Sequence, residues 1–278
     1  MLKILRVFLF SPVVAISLFA GDINHELLTS YLKQSISKEV AKQPNKKALI
    51  KNIRFLTSKK IDKTWTGYFI SMKVTVFDNG ESGAEVIPAQ VILFTDGKSV
   101  TEELAGPLGQ DITASLIPTV DESMYAADHI IAGNKSAKHK IVVFSDPVCP
   151  GCRKALPRIL TRVRNNPNEF VLYFYHFPLE HIHPEAVGIV KGMIALHRIG
   201  KRDVIDRVYT EDIQSFSDLK KMYGDIKISE KDVQHYKNDL DVTERLAVAG
   251  TPALYYDGVN DPHGKRFFSW AVGRSALE

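Results

Sequence analysis

The chain has only two cysteines, Cys149 and Cys152, separated by two residues. Ile141-Val142-Val143-Phe144 precedes them, a short apolar run of the kind that forms a buried strand. After them Ala155, Leu156, Ile159, Leu160 and Val163 recur at helical spacing until Asn165-Asn166-Pro167 stops the pattern. The C-x-x-C therefore lies where a strand turns into a helix, with Cys149 at or just before the first helical turn. Unpaired backbone N–H groups and the helix dipole favour an anion there, and so favour a thiolate. A thiolate with a second thiol three residues on is the minimum for thiol–disulfide exchange. A zinc site needs about four ligands, and no second C-x-x-C completes one. A purely structural disulfide across so short a loop would constrain the unfolded chain very little. The pair reads as redox-active.

At 278 residues the chain suits two domains better than one. Its formal net charge of +4 is small, and no interleaving of basic and aromatic residues argues for nucleic acid. The N-terminus says more. Lys3 and Arg6 precede an apolar run from Val7 to Phe19, which ends at Ala20-Gly21-Asp22. That order describes a secretory signal peptide over residues 1–20, cut after Ala20, and it predicts a periplasmic protein. Export would place the cysteines where disulfides form and persist.

Residues 22–41 carry one apolar stripe (Ile23, Leu27, Leu28, Tyr31, Leu32, Ile36, Val40) and predict an amphipathic helix. Strands are expected at 49–56, 68–76 and 86–94, the second with clean alternation, and Asp78-Asn79-Gly80 signals a turn. Residues 21–110 thus predict an α+β unit with no chemistry of its own, suited to dimerisation. A linker is expected over 111–137, with a short helix from Asp121 through Ile131 that Gly133-Asn134 ends. Residues 138–278 form the second domain. Strand 141–145, helix 150–165 and the aromatic strand 170–177 make a βαβ unit with parallel strands. A helical insert follows over about 184–247. Ala253-Leu254-Tyr255-Tyr256 is a strand, and Asp257-Gly258 turns it towards a closing strand at Arg266–Trp270.

Two stretches resemble the periplasmic disulfide-bond proteins of the Dsb group, in particular the DsbC/DsbG type. One is Phe144-Ser145-Asp146-Pro147-Val148-Cys149-Pro150-Gly151-Cys152, and the other is Gly250-Thr251-Pro252-Ala253-Leu254-Tyr255-Tyr256. The order of an export signal, a small α+β unit, a linker and a βαβ domain with a helical insert is similar as well. The resemblance implies an N-terminal cystatin-like dimerisation domain, a linker helix and a C-terminal thioredoxin-like domain with a helical insertion. It implies that Cys149 is the nucleophile and Cys152 the resolving thiol of a redox-active disulfide. It further implies a cis bond between Thr251 and Pro252, where an extended substrate would bind. The Pro-Gly dipeptide between the cysteines differs from the pattern of that type, which leaves open whether the pair oxidises or reduces. The stretch His176-Phe177-Pro178-Leu179 with His183-Pro184-Glu185-Ala186 is closer to DsbA-like domains.

Asp146 and Lys154 are candidates for tuning the proton or thiolate, although Asp146 suits a turn-satisfying role better. Arg153, Lys154, Arg158 and Arg162 read as a solvated helix face. His176, His181 and His183 with Glu180 fit no standard zinc spacing, so no metal and no cofactor are expected. The expected activity is isomerisation or reduction of disulfides, or of sulfenylated cysteines, in unfolded or misoxidised exported proteins. The protein would be a homodimer recycled by a DsbD-like membrane thiol donor. A DsbA-type oxidase served by a DsbB-like oxidant is the enzymatic alternative, and a periplasmic holdase chaperone the non-enzymatic one.

Overall fold

Alternation in residues 68–76 organises the first half of the chain. In the computed structural model, which describes residues 12–42, 45–78, 84–106, 109, 112–261, 264 and 267, the chain divides between Pro118 and Thr119. The first unit contains helix α1 (Pro12–Val40) and strands β1 (Lys46–Lys60), β2 (Thr66–Asp78), β3 (Ala84–Thr95) and β4 (Val100–Thr101). The strands form one antiparallel sheet in the order β1-β2-β3-β4. Tyr68, Ile70, Met72 and Val74 of β2 point to one face, where Leu28 and Leu32 of α1 close the core with Leu93. His25 stacks on Phe55, ring centroids 3.8 Å apart. The helix starts earlier than the apolar stripe implies and runs through Ala20, the expected cleavage point. Residues 1–11, with Lys3 and Arg6, lie outside the described residues. Among the described residues no helix is long and apolar enough to cross a membrane.

The second unit is built on a five-stranded mixed sheet, in the order β5-β7-β6-β8-β9. Its strands are β5 (Ile130–Gly133), β6 (His139–Ser145), β7 (Phe170–His176), β8 (Ala253–Tyr256) and β9 (Val259–Asn260). As expected from the βαβ pattern, β6 and β7 are parallel, while β8 pairs antiparallel with β6. Helix α2 (Pro150–Asn165) joins β6 to β7. The insert is four helices: α3 (Ala186–Arg198), α4 (Val204–Thr210), α5 (Phe216–Tyr223) and α6 (Glu230–Arg245).

The central strands are apolar without interruption because both faces are covered. Ile141, Val143, Leu172 and Phe174 face α2 and α3, meeting Leu156, Ile159, Leu160, Ile189 and Met193. Val142, Phe144, Val171 and Tyr173 face the other way, against Val120, Met124, Val242 and Leu246.

Residues 119–133 depart from the expected linker helix. Asp121 does cap a turn, accepting the Ser123 N–H at 2.8 Å, but the turn is a single 3₁₀ turn, Glu122–Met124. A second 3₁₀ turn, Ala127–His129, leads into β5, which pairs with the outer edge of β7. That edge carries backbone groups that need partners, and β5 satisfies them. The Val120 N–H donates to the Gly258 carbonyl at 2.9 Å, and the buried Tyr175 hydroxyl donates to the Met124 carbonyl at 2.6 Å. This stretch is therefore an integral part of the second unit. Gly133 ends β5 at φ +81°, where an added Cβ would lie 2.0 Å from the Phe170 carbonyl oxygen. Only glycine fits there. The hairpin after Asp257-Gly258 returns as β9; of the closing strand expected at 266–270, only Phe267 is among the described residues. It is buried, its ring edge-to-face with Phe170 at 5.2 Å.

Candidate active site

Strand β6 ends at Ser145, and the chain turns over four residues into α2. Cys149 is the N-cap of that helix, with Pro150 in its first turn, a place where proline's missing N–H costs nothing. Asp146 holds the turn. Its carboxylate is fully buried, and both oxygens are engaged. Oδ1 accepts the N–H groups of Val148 at 2.7 Å and Cys149 at 3.2 Å. Oδ2 accepts the Leu179 N–H at 2.8 Å and lies 2.8 Å from His183 Nδ1. Asp146 thus ties the cysteine turn to the loop after β7, and its lone pairs are committed to that work.

The two thiols are free and differ in access: Cys149 is half-buried and Cys152 fully buried. The Cys152 sulfur accepts the Asp146 N–H at 3.4 Å. Burial pushes the Cys152 thiol up to about 12, although the Ser145 and Thr251 hydroxyls and the Asp146 N–H would each favour its thiolate. Tyr209 of α4 belongs to the same buried neighbourhood; burial, and then a charge on Cys152, would hold its phenol well above the usual range. The hydroxyls of Ser145, Thr251 and Tyr209 are all buried without a hydrogen-bond partner among the described residues. A sulfur anion beside them would give such orphaned donors an acceptor.

The Thr251–Pro252 bond is cis, as the resemblance implied. The Thr251 carbonyl lies 3.5 Å from the Cys149 sulfur and accepts its S–H. A Cβ added to Gly151 would stand 3.2 Å from Pro252 Cδ and 3.7 Å from the Cys149 sulfur. Glycine between the cysteines therefore lets the proline ring lie against the pair.

The structure brings Asp146, Cys149, Cys152, Thr251 and Pro252 together and leaves Lys154 exposed on α2. Arg153 is not the solvated residue its neighbours suggest. Its guanidinium donates to the carbonyls of Pro147 at 2.8 Å, Ile213 at 3.1 Å and Glu211, clamping the cysteine turn to the segment after α4. His176 and His183 do not converge: His176 is buried in β7 and kept neutral by that burial, while His183 serves Asp146. Tyr209 escaped notice because a tyrosine closing an amphipathic stripe looks like any core residue.

Residues 126–261 match the family described as Thioredoxin. The second unit is a thioredoxin-like domain. Among solved structures, this chain is similar to a thioredoxin-like oxidoreductase from Silicibacter pomeroyi, with 15% identity, 56% and 100% of the two chains covered and a TM-score of 0.47. It is similar to the catalytic domain of Proteus mirabilis ScsC (17%, 55% and 94%, 0.45) and to Pseudomonas aeruginosa DsbA2 (20%, 55% and 98%, 0.41). A curated relative, the Na(+)/H(+) antiporter NhaA 1 of Mycolicibacterium vanbaalenii, is 25% identical over 192 residues, 63% of this chain. The match spans 30% of that protein's length.

The difference between the two thiols in the thioredoxin-like domain gives an expected labelling order. Iodoacetamide added to the reduced native protein near neutral pH should modify Cys149 first and leave Cys152 until the chain is unfolded. Peptide mapping that finds the two labelled at equal rates, or Cys152 first, would reverse their roles.

Proposed function

We propose that this protein is a thiol–disulfide oxidoreductase of the exported Dsb type, acting on disulfides of other exported proteins. The observation that carries the reading is the accessible Cys149 at a helix N-terminus, with the buried Cys152 one turn on and the Thr251-Pro252 loop against both. The Cys149 thiolate attacks one sulfur of a substrate disulfide, and the other substrate sulfur leaves as a thiolate. Cys152 then gives up its proton and attacks the Cys149 sulfur. That breaks the mixed disulfide, releases the second substrate thiol and leaves Cys149–Cys152 oxidised. Two electrons pass from the pair to the substrate. If the substrate's own thiol attacks the mixed disulfide instead, the outcome is isomerisation. The backbone of Thr251 would pair with an extended substrate segment as an added strand.

Within this reading the pair works as a reductase or isomerase in the periplasm and is returned to the dithiol by a DsbD-like membrane donor. Homodimerisation through the first unit belongs to the same proposal. Val86 and Ile87 are exposed on β3, which beyond Phe94 and Thr95 has β2 as its only strand partner among the described residues. Thiol trapping in cells tests the direction. A mostly reduced pair supports reduction or isomerisation, and a mostly oxidised pair supports a DsbA-type oxidase running the same steps in reverse. If the purified dithiol protein fails to speed reduction of a disulfide-bonded peptide above the reductant alone, the enzymatic reading fails and a holdase is left. Light scattering that finds a monomer removes the dimer.

A further inference from the structure

We propose that His129, His235 and Asp239 of the second unit form a binding site for one first-row divalent cation of the zinc class. The site is separate from the cysteine pair. His235 and Asp239 are four residues apart on α6, so both project from one face of that helix. The 3₁₀ turn before β5 brings His129 against them. One oxygen of Asp239, Oδ1, lies 2.8 Å from His129 Nε2 and 3.7 Å from His235 Nε2. Donor atoms from the three residues all fall within 4.8 Å of one another. With metal–ligand bonds of about 2.0–2.2 Å, tetrahedral donors stand roughly 3.3 Å apart. Closing the set therefore requires His235, which is partly exposed and stacks on His129 with ring centroids 4.7 Å apart, to swing towards the other two.

The outer contacts are those that orient metal ligands. His129 Nδ1 lies 2.9 Å from Asp128 Oδ1, which turns Nε2 towards Asp239. A carboxylate behind a histidine in this way fixes its tautomer and makes the other nitrogen a better ligand. The other oxygen of Asp239, Oδ2, accepts the His176 N–H at 3.0 Å, leaving Oδ1 for the site. His129 thus has a carboxylate on each side, yet a neutral imidazole carries a single N–H. A metal ion between Nε2 and Asp239 Oδ1 would leave the Nδ1–H for Asp128, and so would satisfy both sides without a second proton on the ring.

A second observation points the same way. His129 and His235 line a cavity of about 280 Å³, and its wall includes His176, whose Nδ1 is buried with no hydrogen-bond partner among the described residues. Arg198, also on the wall, does not oppose a cation freely, since Asp232 holds it at 2.7 and 3.1 Å. Two imidazoles and one carboxylate with room for a further ligand suit zinc and its first-row neighbours.

The test uses the full chain carrying Cys149→Ser and Cys152→Ser, so that thiolates cannot capture the metal. Calorimetric titration with Zn²⁺ should give one equivalent bound. Co²⁺ should give the visible absorption of a nitrogen- and oxygen-ligated site. His235→Ala should weaken binding by at least about 10-fold and abolish the Co²⁺ bands, and Asp128→Asn should weaken it by about 10–100-fold. His235 is partly exposed, so its variants can be folded even where Asp239→Asn is not; His235→Gln, which keeps the volume, repeats the test. Zn²⁺ should raise the melting temperature of the parent and leave that of both His235 variants unchanged. Absence of binding at millimolar Zn²⁺, or one equivalent bound with unchanged affinity in both His235 variants, would overturn the site. None of these readouts depends on disulfide exchange, so the site and the proposed activity fail separately.

Discussion

Cys149→Ser should lower disulfide reduction by at least roughly 10³-fold, because a serine hydroxyl near neutral pH is no substitute for a thiolate nucleophile. Cys152→Ser should behave differently. The half-buried Cys149 can still attack, but the buried partner that releases it is gone, so substrates should accumulate as mixed disulfides through Cys149. Non-reducing gels of the protein recovered from an oxidising compartment should then show a ladder of adducts that collapses on reduction. The double variant should show neither turnover nor adducts. Adducts that persist in Cys149→Ser with Cys152 intact would mean that the buried thiol is reached by substrate, against its zero exposure.

Asp146→Ala should be the most destabilising change near the site. The carboxylate is fully buried and holds three backbone N–H groups, those of Val148, Cys149 and Leu179, together with His183. Removing it leaves those donors unsatisfied, at about 1–3 kcal/mol each before relaxation and water entry. Three such donors, partly relieved in this way, come to about 3–5 kcal/mol in all. A loss of that size corresponds to a fall of roughly 10 °C in the midpoint for the second unit. Asp146→Asn keeps an oxygen for Val148 and Cys149 but faces the Leu179 N–H with an NH₂ group, and should lose about half as much. Thermal unfolding followed by circular dichroism separates the two variants. If Asp146→Ala melts like the parent, the carboxylate is not what holds the turn.

The site was legible in part, and for identifiable reasons. Cys149 and Cys152 declare themselves by spacing and by the strand and helix on either side, which are local signals. Residues 141–177 read as strand, helix and parallel strand for the same reason: continuous apolar runs bounded by Asn and Pro, with helical spacing between them. The role of Pro252, 100 residues further on, came from resemblance to a family, since nothing local about Gly250-Thr251-Pro252 says what it packs against. Arg153 looked like one cation among several on a helix. Its three carbonyl partners come from two separate segments, and no periodicity reports that.

Sequence alone determined the elements whose burial repeats locally: the stripe of α1, the alternation of β2, the apolar β6 and β7, and the four helices of the insert. It also placed two thiols at the start of a helix. Tertiary structure decided the rest. Ile130–Gly133 became a strand, contrary to the helical spacing before it, because the open edge of β7 had backbone groups to satisfy. Asp146 became a four-contact clamp because the loop after β7 returns to it. His129 met His235 and Asp239 only because β5 and α6 pack near one end of β7. Each of these joins residues 33 to 110 positions apart, and such contacts depend on which faces are buried together, a property no local window contains.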